Sequence, residues 1–278
     1  MSILRVFPRK TTATPDDKWV RIGPPAVQLS LFDNQYEANE IRISVTFTWD
    51  KPVAEKLAEQ WRKINSNISV GGVAYGDPGG EFEPGMYLKH GHVITSRGCP
   101  NKCWFCDVPK REGGVRELEV KDGWIVQDSN LLATSRAHQE KVFRMLQRQP
   151  EKPRFNGGLE AAILTDWHCE WLAKLKPNTM WFAYDTPNDY EPLVYAGRML
   201  REHGVIKNHN AFCYVLIGYK GDTMEKAEKR LIDTIKAGFT PQAMLYNKIE
   251  DKAWRKFQRE WANRIIVFSK INEMKKPR

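Results

Sequence analysis

Apolar and polar positions change their period along the chain, and the changes divide it. Residues 1 to about 40 keep no period and are punctuated by Pro8, Pro15, Pro24 and Pro25, which predicts an extended arm. Ile41-Arg42-Ile43-Ser44-Val45-Thr46-Phe47-Thr48 then alternates apolar with polar residues, as a half-buried strand does. Asp50 reads as an N-cap, Pro52 suits a first helical turn, and Val53, Leu57 and Trp61 share one helical face, so a helix is expected to about Lys63. A second strand and turn from Asn67 to Gly76 completes a β-α-β unit. Its glycines do not spell G-x-G-x-x-G, so a dinucleotide site of that kind is not expected.

Beyond residue 90 strand and helix signals alternate. A short apolar strand around His92-Val93-Ile94 runs into a cysteine-bearing loop, after which Gly113-Gly114 and Lys121-Asp122-Gly123 bracket a segment that predicts a hairpin. Trp124-Ile125-Val126-Gln127 leads to a helix near 136–148, Arg154-Phe155-Asn156 to one near 166–175, and Met180-Trp181-Phe182-Ala183 to one near 191–203. A strand from Ala211 to Gly218 precedes a helix near 223–237, and Ala243-Met244-Leu245-Tyr246 closes the series. With the strand before Cys99 this makes six strands, an α/β pattern that predicts a parallel sheet with functional turns at the C-terminal strand ends. Periodicity alone equally allows an open doubly wound sheet and a (β/α)6 barrel. From Asp251, Trp254, Phe257, Trp261, Ile265 and Phe268 recur at helical spacing and predict a single amphipathic C-terminal helix, with Lys275 to Arg278 as a basic tail. The expected organisation is therefore 1–90, 91–250 and 251–278.

Composition narrows the class. With 278 residues, 41% hydrophobic and 28% charged, the chain is globular, and no apolar run reaches membrane-spanning length. Met1 to Lys10 lacks a signal-peptide core, so a cytoplasmic location is expected. The formal charge of +9 fits an acidic partner, whether nucleic acid, an acidic electron carrier or a phosphorylated substrate, and equally a merely solvated basic surface. Three of the five cysteines share one loop, which in a reducing compartment reads as metal ligation and not as a disulfide framework.

Cys99, Cys103 and Cys106 stand at C-x3-C-x2-C spacing. Thiolates are soft ligands for zinc, copper or iron–sulfur clusters. A closed zinc site needs a fourth ligand, for which His90 or His92 is the nearest candidate, whereas a [4Fe–4S] cluster held by three thiolates keeps one iron open. With the aromatic Phe105 before the last cysteine, the loop resembles the signature of the radical S-adenosylmethionine (radical SAM) superfamily. The resemblance covers about residues 90–250. It implies a partial (β/α)6 barrel of TIM type, with a [4Fe–4S] cluster on Cys99, Cys103 and Cys106 and SAM chelated to the open iron. It also implies a reducing partner such as flavodoxin or ferredoxin, cleavage of SAM to a 5′-deoxyadenosyl radical, and hydrogen abstraction from an unidentified substrate, nucleic acid among the candidates. Phe105 then lies against the adenine. The β-α-β unit resembles a shortened remnant of the cobalamin-binding domain that precedes the barrel in some members. Cobalamin itself is not expected, because the nearest match to D-x-H-x-x-G, Asp166-Trp167-His168, lacks the glycine.

The same resemblance marks further turns. Asn156-Gly157-Gly158-Leu159-Glu160 resembles the G-G-E element that binds the methionine amino group, with Leu159 interposed and on the third strand in place of the second. Asp128, in Gln127-Asp128-Ser129-Asn130, is a candidate for SAM or substrate, or a helix cap. Tyr184 and Asp185 close the fourth strand, where the family places a polar residue on ribose or substrate. Leu216, Ile217 and Gly218 resemble the G-x-I-x-G region that contacts adenine through its backbone, and Asp222 or Thr223 caps the helix after it. Tyr246 and Asn247 are expected to face substrate, Cys169 and Cys213 to be buried structural thiols, with hydrogen-atom donation the alternative for Cys213, and most of the ten tryptophans, on helix faces or strand interiors, to serve packing. From another class, the alternative is a zinc-stabilised, basic nucleic-acid-binding protein without catalysis.

Overall fold

The computed structural model describes residues 2–25, 38–207, 209–246 and 251–275. Asn247, the end of the basic tail and residues 26–37 of the expected arm lie outside the described residues. The fold is mixed α/β and contains two parallel sheets.

The first sheet comprises β1 (Ile3–Phe7), β2 (Val20–Ile22), β3 (Glu40–Ser44) and β4 (Ile68–Gly71), in the order β2-β1-β3-β4 with every pair parallel. The extended arm expected at the N-terminus is thereby corrected: β1 is an inner strand. Its sequence hid it because Leu4, Val6 and Phe7 are all buried and Arg5 is buried among them, so no alternation survives. Arg5 is tolerated there because its guanidinium reaches Gly85 O at 2.7 Å, Met86 O at 2.8 Å and Asp17 at 2.5 Å, bracing this sheet to the segment leading to the second one.

Helix α1 (Lys51–Arg62) crosses from β3 to β4 and buries Ala54, Leu57, Ala58 and Trp61. Val53, expected on that face, stays 45% exposed. Asp50 occupies the N-cap position but makes no capping bond. Its buried carboxylate instead holds the Arg9 guanidinium through two hydrogen bonds.

Next come β5 (His92–Val93), β6 (Ser96–Arg97), the single-turn α2 (Val108–Arg111) and β7 (Arg116–Glu117). β6 and β7 pair antiparallel, so the bracketed segment is no local hairpin: it is the return arm of the cysteine loop.

The second sheet runs through β8 (Ile125–Val126), β9 (Arg154–Phe155), β10 (Thr179–Tyr184), β11 (Ala211–Ile217) and β12 (Thr240–Leu245). Its order is β12-β11-β10-β9-β8-β5, parallel at each pairing. Crossovers are made by α3 (Arg136–Gln147), α4 (Asp166–Leu175), α5 (Tyr190–Glu202) and α6 (Met224–Ala237). β12 begins before the expected Ala243 because Pro241, which cannot donate to a ladder, is tolerated on a strand at the sheet edge.

The single C-terminal helix is also corrected. It is two helices, α7 (Lys252–Ala262) and α8 (Arg264–Lys275), broken at Asn263. Asn263 is extended (φ −82°, ψ 112°) and its side chain accepts from Ile265 N at 3.0 Å, opening α8 in a new direction. Ile265 is consequently 82% exposed while Val267 and Ile271 are buried. Separate apolar clusters underlie the two sheets. Among the described residues no helix is long and apolar enough to cross a membrane.

Candidate functional site

The neck of the cysteine loop is shaped by Gly98, whose φ of +83° and whose nearness to the opposite strand both require glycine: a Cβ there would lie 2.2 Å from Gly114 O. Gly98 N donates to Glu112 Oε2 at 2.7 Å and Cys99 N to Gly113 O at 3.2 Å. The Glu112 carboxylate also accepts from Ser129 Oγ at 2.8 Å and from the Arg111 guanidinium at 2.5 Å. Burial works against its ionisation, but Arg111, Gly98 and Ser129 together carry its pKa below the ordinary glutamate value. Glu112 is not legible in the sequence because Gly98 and Ser129 lie 14 and 17 residues away.

Beyond the neck, Cys106 N donates to Cys103 O at 3.1 Å, which turns the loop back on itself. All three thiols are free; Cys103 is exposed, Cys99 and Cys106 partly buried. Burial, followed by the neighbouring thiols, pushes the Cys103 thiol up. Cys106 is raised first by burial and also by Cys99, while a backbone hydrogen bond at Val108 opposes the rise.

The loop overhangs a cleft of about 420 Å³ at the C-terminal ends of β8 to β11. Asn101 to Cys106 form one wall; Glu160, Asp185, Asp189 and Tyr214 are among the other lining residues, and among the described residues Lys102 is the one cation of the lining. Asn130 joins the two sides, its Nδ2 lying 3.4 Å from Cys99 Sγ and 2.6 Å from Glu160 Oε2, while its buried Oδ1 has no partner. Burial, then the neighbouring Asp189 carboxylate, raises Asp185 to about 7. Asp189 Oδ2 accepts from Asp185 N at 2.9 Å and Thr186 N at 2.7 Å, fixing this turn.

Of the residues marked from sequence, Cys103, Phe105, Cys106, Gly157, Gly158, Glu160 and Asp185 line the cleft, and Cys99 lies outside the lining, reached through Asn130. Others do not. Asp128 is 1% exposed, and its oxygens accept from Thr95 N at 2.7 Å, Thr95 Oγ at 2.5 Å and Ser96 Oγ at 2.7 Å, so it ties β8 to the β5–β6 turn and offers a ligand nothing. Asn156 is outside the lining, its amide bonded to Val126 O at 3.0 Å. Tyr184 is buried and stacks on Tyr190. Leu216 and Ile217 are buried; Leu216 O accepts from Arg230 at 2.9 Å, and Gly218 N donates to Asp222 Oδ2 at 2.8 Å. Backbone groups expected at the adenine are thus engaged within the protein.

Asp222 is not the helix cap; Thr223 is, accepting from Lys226 N at 3.3 Å. Asp222 instead forms a buried pair with Arg230 at 2.8 Å. Asn130 and Tyr214 were missed. Asn130 sat in the quoted turn beside Asp128, and Tyr214 is the one residue of β11 short of full burial, stacked on Trp181 with centroids 4.1 Å apart.

Three unpaired soft donors on one loop, with an amide directed at one of them, form a donor set that suits an iron–sulfur cluster. Among the described residues no three His, Cys, Asp or Glu side chains meet at the separations that hold a single metal ion. Cubane thiolates bind different irons and stand wider apart. His92 is buried in β5 with Nδ1 3.0 Å from Lys89 O, and His90 packs beside Gly85, so neither is placed with the thiols. Neither protein-family models nor curated proteins yield a match to this chain.

Proposed function

We propose that this chain is a radical SAM enzyme whose second sheet is a partial (β/α)6 barrel, with Cys99, Cys103 and Cys106 holding a [4Fe–4S] cluster. The observation that carries the reading is the placement of three free thiols on one loop over a cleft whose other side is acidic. SAM brings an ammonium and a sulfonium, and Glu160 and Asp189 supply the opposite charge. The sheet order fits: its strands follow one another in sequence from β5 to β12, as a barrel left open between first and last requires.

A [4Fe–4S] cluster held by Cys99, Cys103 and Cys106 would supply one-electron reduction of SAM and so radical hydrogen abstraction. The chain's own residues hold and orient. Phe105 presents an aromatic face for adenine, Asn130 Nδ2 donates toward Cys99 Sγ and fixes its orientation, and Glu160 receives the methionine ammonium. Gly158, at φ +112° with open space where a Cβ would stand, leaves room for a ligand to approach the backbone. A flavodoxin or ferredoxin as reductant, and a reducing cytoplasmic setting, belong to this reading.

Anaerobic isolation tests it. The expected result is a brown protein with about four irons per chain that forms 5′-deoxyadenosine from SAM on reduction, both lost in Cys99→Ala, Cys103→Ala and Cys106→Ala. A colourless protein with stoichiometric zinc, unable to accept a rebuilt cluster, overturns it in favour of a basic zinc-binding protein.

A further inference from the structure

Among the tryptophans, Trp104 departs from a packing role. Trp61, Trp181 and Trp261 are buried; Trp49 and Trp104 are 50% and 54% exposed, but Trp49 is stacked on Phe47 with centroids 4.7 Å apart, whereas Trp104, between two of the cysteines, lines the cleft. Its ring neighbours are Phe105, Tyr219 and Tyr246, with centroids 5.2, 5.6 and 5.2 Å away and planes inclined at 90°, 71° and 67°. None of these rings is stacked on it. Tyr219 follows β11 and Tyr246 follows β12, so aromatic residues from three strand ends gather at one place on the rim.

The charge around this cluster is divided. Inside the cleft the Glu160 and Asp189 carboxylates repel phosphate, whereas the rim carries Lys102 beside Trp104 and Lys220 next in sequence to Tyr219, both exposed. α7, which packs on β12, exposes Lys252 and Lys256. A ligand matching this arrangement keeps its phosphates on the rim and turns a flat, uncharged ring inward. Unpaired bases of a single strand do this, stacking on aromatic side chains while lysines track the backbone. The cleft volume of about 420 Å³ is that of one small-ligand site, so with SAM inside, the second reactant meets the protein at Trp104.

Resting on the radical SAM reading, we propose that the substrate is a single-stranded nucleic acid, with Trp104 as the platform on which an unpaired base stacks beside the cluster. Enzymes that act on a base must take it out of the helical stack, and an exposed indole at the mouth compensates the stacking it loses.

Binding and SAM cleavage, measured on the same cluster-loaded full-length chain, separate the two claims. The probes are a short RNA, a DNA of the same sequence, and the corresponding duplexes, followed by fluorescence anisotropy across a salt series. Expected are tighter binding of at least one single strand than of its duplex, and roughly tenfold or greater weakening in Trp104→Ala, with Trp104→Phe within about threefold of wild type. Lys102→Ala and Lys220→Ala should each flatten the salt dependence by about one unit of slope. Circular dichroism identifies any variant that fails to fold, and Trp104→Phe then carries the comparison through its loss of intrinsic-fluorescence quenching. Equal affinity in Trp104→Ala, or duplex bound as tightly as single strand, overturns the proposal. SAM cleavage without oligonucleotide affinity at low salt overturns it too, and leaves the radical SAM reading in place. Oligonucleotide binding without SAM cleavage overturns that reading and leaves only a base-stacking surface.

Discussion

The two halves of the second sheet are built differently. Beneath the cysteine loop, β5, β8 and β9 are two residues long, whereas β10, β11 and β12 run to six or seven. Long ladders hold the second half along its length. At the site edge of the first half, buried side chains do that work: Asp128 ties Thr95 and Ser96 to the end of β8, and Glu112 ties Gly98 to Ser129. Short strands free the chain to turn into a loop early, and the loop's orientation then depends on a few carboxylates. The arrangement concentrates sensitivity at positions that touch no ligand.

The largest effect is expected in the long-stranded half, at its own buried ion pair. Arg230 reaches Asp222 Oδ2 at 2.8 Å and Leu216 O at 2.9 Å, and the Asp222 side chain is fully buried. Arg230→Met leaves that buried charge with only the Gly218 amide as partner and should cost about 3–5 kcal/mol, measured by urea unfolding, with much of it recovered in Arg230→Met/Asp222→Leu. A loss below about 1 kcal/mol would mean that the ladders alone hold this half.

Asp128→Ala should come next, at about 2–3 kcal/mol, because it leaves the Thr95 amide and the Thr95 and Ser96 hydroxyls without an acceptor. Its pH dependence distinguishes it. Burial raises the Asp128 carboxyl from the ordinary 3.8 to about 6, against the hydrogen bonds from Thr95 and Ser96. Between those values the folded chain keeps a proton that the unfolded chain has released. The contribution of Asp128 is therefore full below about 3.8 and is lost as pH rises through about 6. The stability gap between wild type and Asp128→Ala should narrow over that window, read from unfolding midpoints. A gap that widens with pH would show that the hydrogen bonds outweigh burial.

What was legible in the sequence follows the same divide. Helices such as α4 (Asp166–Leu175), read near 166–175, showed because their signals lie within the segment itself, and the cysteine loop showed because ligand spacing is local. β1 did not show, since burial on both faces erased the alternation, and neither did the break at Asn263, where apolar spacing continues through a change of helix direction. The Asp128 alternatives could not be separated, because Thr95 and Ser96 lie 33 and 32 residues away. Glu112 and Asn130 share that difficulty: their partners come from other strand ends, and only the order of strands brings them together. The surroundings of Trp104 are hidden from sequence for the same reason, because Tyr219 and Tyr246, which follow β11 and β12, are still more distant along the chain.

The smallest predicted effect examines the joint between the short strands themselves. A Cβ on Gly157 would lie 2.0 Å from Asp128 O and 2.6 Å from Gln127 C, both backbone, so neither neighbour can yield by rotating a side chain. Gly157→Ala must push the β9 turn away from the end of β8, at about 1–3 kcal/mol. The same shift carries Glu160 away from Asn130 and loosens the amide placed against Cys99. Gly158→Ala meets open space and suffers only its φ of +112°, about 1 kcal/mol of local strain. Amide hydrogen exchange should separate the two: Gly157→Ala speeds exchange in the β8 turn as well as in its own, and Gly158→Ala only in its own. Identical exchange patterns in the two variants would mean that the polar ties, and not close backbone contact, set the spacing of these strand ends, so that Asp128→Ala alone should release the loop.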